Sequence, residues 1–307
     1  MVQRSPITEN KNIRLIKKID AVSLINQYYY HFKIDISYLI KNNNIISVYE
    51  CQDTKYRFFY PYEIAGDGIF YEELQKFDWY YMPWKWEHQH IIKLINPGLK
   101  LLEVGAAKGS FIKEMSRRGL ECTGLELNKS AVEEANKNKI NLLFESIQEH
   151  SQNNKNSYDI VCSFQVLEHI AEVDSFIKAQ IDCLKVNGRL IISVPNNDSF
   201  LGRCYSLLNL PPHHMGLWNK KSLTSLEIYF PIKLEKIIHE PLQSYHVNWY
   251  QSELQNEIQK FPVFRSFYFR IKIISRVINW MIKRFRKFIK GHTIIAIYKK
   301  TDENPSY

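Results

Sequence analysis

The sequence predicts a doubly wound α/β fold: a mostly parallel, buried sheet with an antiparallel last strand, preceded by an aromatic N-terminal accessory region. Three observations predict it. Apolar runs at 100–104, 121–127, 140–144, 159–164 and 189–194 alternate with segments of helical spacing, the pattern of a sheet covered on both faces. Leu101-Leu-Glu-Val-Gly-Ala-Ala-Lys-Gly109 sets two glycines four apart between the first run and a helix pattern. A last apolar run near 292–299 follows a basic segment and reads as a strand rejoining the sheet.

The elements follow in order. Residues 1–90 form the accessory region, with a loop punctuated by Pro61, Gly66 and Gly68 and then a helix over Tyr71–Tyr81. Residues 91–240 form the regular α/β domain. A helix over His88–Ile95 ends near Pro97-Gly98, and a strand over Lys100–Val104 runs into the glycine turn. Phe111, Ile112 and Met115 stripe the next helix, which Gly119 closes. The second strand spans Glu121–Leu127; Ser130 and Glu133 then have capping-box spacing, which predicts a helix start. Strands over Ile140–Phe144 and Asp159–Phe164 follow. A helix carrying Phe176, Ile177, Ile181 and Leu184 stops at Asn187-Gly188, before a fifth strand over Arg189–Val194. Residues 241–290 read as a basic helical insertion and 291–307 as the final strand and tail.

The bulk properties narrow the function. The chain has 307 residues, enough for one large core with an accessory region. Five scattered cysteines without a C-x-x-C pair argue against a disulfide scaffold or a cysteine zinc site, and no metal is expected. The N-terminus shows no apolar signal region and no apolar run reaches transmembrane length, so a cytoplasmic setting is expected. The excess of 41 basic over 32 acidic residues is concentrated near the C-terminus, which favours contact with an anionic surface.

In an open parallel sheet, ligands bind beyond the carboxyl ends of the strands. The glycine turn after the first strand is expected to open a helix with unpaired N–H groups facing a ligand. Glu103, just before it, favours a cationic or hydroxyl-bearing ligand over a bare phosphate. Glu126, at the end of the second strand, is placed to accept both hydroxyls of a ribose. Ser146 and Ile147, after the third, can flank an adenine. Ser163-Phe-Gln-Val-Leu-Glu-His169 follows the fourth strand and Pro195-Asn-Asn197 the fifth. A nicotinamide site would need G-x-G-x-x-G, and Ala107 and Ser110 break that match.

Leu102-Glu-Val-Gly-Ala-Ala-Lys-Gly109, Gly124-Leu-Glu-Leu-Asn128, Tyr158-Asp-Ile-Val161, Phe164-Gln-Val-Leu-Glu-His-Ile170 and Gly188-Arg-Leu-Ile-Ile-Ser-Val-Pro-Asn196 together resemble the class I S-adenosylmethionine-dependent methyltransferases. The resemblance spans roughly 78–240 and the last strand, and is nearest the small-molecule group that contains quinone-biosynthesis O-methyltransferases. It implies a Rossmann-like sheet and S-adenosyl-L-methionine as cofactor. Carried over, Glu103 and Gly105 lie near the methionine moiety with Ala106, Ala107 and Gly109 in the same turn. Glu126 and Leu127 meet the ribose, and Ser146 and Ile147 the adenine. The backbone at Ser163 and Phe164 holds the methionine amino group. Apart from the resemblance, Tyr80, Tyr81, Trp84 and Trp86 are rings for which two roles stay open, a lid over the cofactor or packing in the core. The family usually has glycine where this chain has Ala107; alanine is expected to take negative φ there.

Methyl transfer to a hydroxyl or amine also needs a proton acceptor. His169, in the Leu-Glu-His run, and His213 and His214, in Pro211-Pro-His-His-Met215, are the candidates, with open alternatives: a hydrogen bond tying the helix to the loop for His169, and a structural or acceptor-binding part for the other two. The fourth strand lacks the Asn/Asp-Pro-Pro-aromatic run of amino-methylating DNA enzymes, and no Pro-Cys occurs, which argues against nucleic acid. The expected acceptor is a hydroxyl of a small molecule, glycan or lipid-linked intermediate; a non-catalytic cofactor-binding protein and an RNA methyltransferase are the alternatives. Residues 265–290 hold nine Lys and Arg and no acid, with apolar residues at three- and four-residue steps. That describes a basic amphipathic helix, suited either to an anionic membrane surface or to capping the catalytic domain.

Overall fold

The computed structural model describes residues 3–41, 43–80, 82–259 and 272–302. Strands β1 (Ile13–Asp20), β2 (Ile45–Cys51) and β3 (Arg57–Tyr60) form an antiparallel sheet in the N-terminal region. The larger sheet is built from β4 (Lys100–Val104), β5 (Glu121–Leu125), β6 (Leu142–Leu143), β7 (Tyr158–Phe164) and β8 (Leu184–Pro195), all parallel. The two-residue β9 (Gly216–Leu217) returns to pair with β3, so the smaller sheet draws its fourth strand from beyond residue 90. Strands β10 (Ile232–Pro241) and β11 (Lys290–Lys300) complete the larger sheet in the order β10-β11-β8-β7-β4-β5-β6. The last strand, β11, runs antiparallel to both neighbours, as predicted.

Both faces of the larger sheet are buried, and strand alternation divides the core. Leu102, Val104, Leu190, Ile192 and Val194 join one cluster, and their neighbours Leu101, Cys162, Phe164 and Ile191 join the other. Tyr56 and Phe58 of the N-terminal region share the first cluster with Trp218, so the accessory residues pack directly on the sheet.

Several element boundaries differ from the sequence reading, each for a local reason. The helix placed at Tyr71–Tyr81 spans Gly68–Gln75, because Asp67 accepts the N–H of Phe70 at 2.9 Å and caps it early. The helix placed at His88–Ile95 spans Trp86–Ile91. After β5, Asn128 rather than Ser130 is the cap, accepting from Ala131 N at 3.0 Å. The helix carrying Phe176 and Ile177 stops at Cys183 instead of Asn187. There Lys300 Nζ donates to the carbonyls of Ile181 and Leu184 at 2.8 and 2.7 Å, satisfying the end of the helix. No helix among the described residues is long and apolar enough to cross a membrane.

Candidate active site

The β4 turn is pinned to β5 by its own backbone. Gly105 N and Ala106 N both donate to the carbonyl of Leu125, at 2.8 and 2.9 Å. Ala107 N donates to Glu126 Oε2 at 2.8 Å, and Asn128 N to Glu126 Oε1 at 2.9 Å. The N–H groups expected to face a ligand are therefore paired within the protein at 105–107. Ala107 does not take negative φ either: it sits at +49°, in the left-handed region, because its N–H is held by Glu126. Gly105 is required on two counts, with φ +75° and only 2.5 Å between a built Cβ and Val166 Cγ2.

A cavity of about 1080 Å³ opens over these strand ends. Its lining runs from Leu127, Phe144, Ser146 and Ile147, past Glu103, Gly105 and Glu126, to His169, His213 and His214. Ser146 caps the helix over Ile147–Asn153 in a capping box with Glu149, and Ile147 is buried beside it. Glu103 is 3% exposed, and its Oε2 has no hydrogen-bond partner in the protein. Burial pushes its carboxyl far above the usual range, with Lys85 opposing and Glu126 adding to the rise. A buried carboxyl aimed into a cavity fits a ligand that brings a positive charge.

The far end of the cavity is crowded with imidazoles and carboxyls. Met215 brings the two loop histidines there: its N–H donates to Glu168 O at 2.7 Å and its carbonyl accepts from Phe59 N at 3.0 Å. The His169 ring then lies 4.6 Å from that of His213 and 5.0 Å from that of His214. Burial lowers all three, His169 to about 4 and the other two well below their usual value, so the rings are neutral at pH 7. Burial acts oppositely on the acids: Glu168 is raised to about 8 and Glu240 to about 7. Glu87 is also raised by burial.

Of the residues singled out in the sequence, Glu103, Gly105, Ala106, Ala107, Glu126, Leu127, Ser146, Ile147, Phe164, His169, His213 and His214 line this one cavity. Gly109 and Ser163 do not. Gly109 supports the turn from behind, where a Cβ would come within 2.7 Å of Ile140, and Ser163 is fully buried in β7. Tyr81 lies outside the described residues, as do 265–271 of the basic segment. Sequence reasoning missed Glu87, Glu168, Glu240, His246 and His292, all lining the cavity. Glu168 stood in the Leu-Glu-His run and was read only for its histidine. Glu240 and His292 lie on β10 and β11, which carry no motif.

An open, mostly parallel sheet, a glycine turn, an acid after β5 and a cavity across the strand ends make up the Rossmann-like fold of the class I methyltransferases. The family model described as a methyltransferase domain matches residues 79–266, more than half the chain, and the chain belongs to that family. Its cofactor is S-adenosylmethionine. Among curated proteins it is similar to the ubiquinone biosynthesis O-methyltransferase of Pelagibacter ubique, 28% identical over 102 residues. That match covers 32% of this chain and 42% of the relative. The protein of the same name from Vibrio atlanticus is 29% identical over 107 residues, covering 33% and 45%. The chain thus spans less than half the length of these relatives. A solved S-adenosylmethionine-dependent methyltransferase from Archaeoglobus fulgidus is 18% identical with a TM-score of 0.47, covering 70% of this chain and 91% of its own.

Proposed function

We propose that this methyltransferase O-methylates a hydroxyl on a small-molecule, sugar or lipid-linked acceptor. The cofactor lies over the strand ends and the acceptor beside His169, His213 and His214. The observation that carries the reading is the single cavity joining the β4 and β5 ends to the imidazole cluster. In this reading residues 91–240 hold the cofactor, while 1–90 and 241–290 shape the acceptor side. Glu103 and the Ser163–Phe164 backbone take the methionine end, Glu126 and Leu127 the ribose, and Ser146 and Ile147 the adenine. The relatives named ubiquinone biosynthesis O-methyltransferase support oxygen as the atom methylated.

In the reaction the acceptor oxygen attacks the methyl carbon in line. An O–CH3 bond forms, the S–CH3 bond breaks with its electron pair passing to sulfur, and the hydroxyl proton leaves. Alignment alone can lower the barrier by roughly 7–11 kcal/mol. One of the three imidazoles receives the proton, an arrangement that contributes on the order of 10²–10⁴-fold.

The test is transfer of a labelled methyl group from S-adenosylmethionine to hydroxylated compounds in a cell extract, with the product bond identified. A labelled ether supports the reading; label on nitrogen or carbon sinks it. Cofactor binding with no label transferred to any acceptor favours the non-catalytic alternative, and label on RNA the other. Full turnover in a variant lacking both His213 and His214 would remove them as proton acceptors.

A peripheral membrane contact is the second part of the reading. In the helix over Lys272–Phe285, Ile282 is buried and Ile278 half-buried against Phe200, Leu242 and Val247. Trp280, Met281, Phe285 and Phe288 remain exposed alongside Arg276, Lys283, Arg284 and Lys287. One side caps the domain, and the other joins rings to cations as an anionic lipid surface requires. Flotation with anionic but not neutral vesicles is expected; equal recovery with both rules it out.

A further inference from the structure

We propose that His169, His213 and His214 together hold a divalent transition-metal ion of the zinc type, leaving one coordination position for an oxygen of the acceptor. The inference rests on the acceptor site proposed above and changes the part of the three histidines from proton acceptors to ligands.

The geometry begins with proximity. One ring nitrogen of each histidine lies within 4.8 Å of those of the other two. Hydrogen bonds at Nδ1 of each ring then fix which nitrogen carries the proton. His169 Nδ1 meets the carbonyl oxygen of His213 at 2.5 Å, and His213 Nδ1 meets that of Leu208 at 2.8 Å. A carbonyl oxygen only accepts, so both Nδ1 atoms donate. His214 Nδ1 meets Asn209 Oδ1 at 3.0 Å, and Asn209 is oriented because its Nδ2 donates to Asn197 Oδ1 at 3.0 Å. All three neutral rings are therefore Nδ1–H tautomers with the lone pair on Nε2. Donation of the second ring N–H to a fixed oxygen is how metal-binding histidines are oriented and made more basic.

Clustered lone pairs repel one another unless a donor or a cation stands among them. The Tyr80 hydroxyl, 3.4 Å from His213 Nε2, reaches one. Nearby, Glu168 Oε1 lies 4.0 Å from His169 Nε2, and its buried Oε2 has no hydrogen-bond partner in the protein. A cation bound beside it favours the ionised form of Glu168, whose negative charge then balances the ion. Imidazole donors select zinc, copper, nickel or iron over magnesium and calcium. Bonds of about 2.0–2.1 Å place tetrahedral nitrogens roughly 3.3 Å apart, so the rings close by up to about 1.5 Å on binding. Three protein ligands with an open fourth position mark catalytic rather than structural zinc sites. An ion there would bind the acceptor oxygen and lower its pKa, so that its proton passes to solvent water before the oxygen attacks the methyl carbon. The sequence offered no sign of the site, because His169 stands 44 positions before His213.

The test titrates Co²⁺ into chelator-treated full-length protein without acceptor, reading the visible spectrum, with S-adenosylhomocysteine affinity measured on the same samples. One equivalent giving intense bands of a low-coordinate nitrogen site is expected. These bands should be lost in His214→Ala and in His169→Ala while both variants still bind S-adenosylhomocysteine. No uptake, or bands unchanged in both variants, overturns the proposal. Should either variant fail to bind S-adenosylhomocysteine, X-ray absorption on zinc-loaded wild type decides: three imidazoles support the site, and one or none overturns it. Because no acceptor is present, the metal result is independent of whether the methylated atom proves to be oxygen, so the two readings fail separately.

Discussion

Glu126 Oε2 accepts the backbone N–H of Ala107 at 2.8 Å, tying the end of one strand to the turn after its neighbour. The same carboxylate accepts from Asn128 N at 2.9 Å, so it holds the turn and the start of the next helix together. Glu126→Ala removes both bonds and a carboxylate on the cavity wall. Hydrogen bonds to a charged group are worth about 1.5–3 kcal/mol each. The expected result is a fall in S-adenosylhomocysteine affinity of tenfold or more, measured calorimetrically; unchanged affinity would sink the proposed ribose placement.

Ala107 holds φ +49° against the ordinary preference of an L-residue. Glycine removes that strain and adds unfolded-state entropy, and the two partly cancel. Ala107→Gly should leave thermal stability equal or raise it by up to about 1 kcal/mol, whereas Ala107→Val should lower it. A clear loss on the glycine substitution, by denaturant titration, would contradict the strained turn.

Glu103 is buried, and its carboxyl lies far above the normal range. A cationic methionine end arriving beside it favours the ionised form, so binding should release a proton. Calorimetry of S-adenosylmethionine binding in buffers of different ionisation enthalpy should show heats that vary with the buffer. Glu103→Gln should abolish the variation. Buffer-independent heats in the wild type would refute the linkage.

Glu240 is raised from 4.5 to about 7, mainly by burial, with the nearby Glu87 adding to the shift. The folded state keeps this proton after the unfolded chain has lost it. Its contribution to stability is therefore full below pH 4.5, falls as pH rises from 4.5 to 7, and is lost above. Relative to Glu240→Gln, the wild type should lose up to a few kcal/mol across that window. Parallel stability profiles for the two proteins would show that Glu240 does not titrate in this way.

Much of the catalytic half was legible in the chain. The strand over Lys100–Val104 has the bounds read from its apolar run and β7 starts one residue before its expected position, whereas β8 starts at Leu184, in the stretch read as the end of the preceding helix. Strand periodicity, the paired glycines and the acid at 126 are local signals, and they report local backbone. Helix ends were less legible, because they depend on which oxygen reaches a free end. Lys300 closing the helix at Cys183 acts across more than a hundred residues.

The succession of strands β4 to β8 along the chain, the glycine turn and the acids beside it were determined by the sequence alone, since each is set by neighbours within a few residues. The gathering of His169 with His213 and His214, and of Glu240 and His292 on the same wall, was decided only by tertiary structure. Two backbone hydrogen bonds at Met215, to Glu168 and Phe59, carry one loop between two sheets. Contacts of that range leave no period in a sequence, because the partners are chosen by packing rather than by spacing.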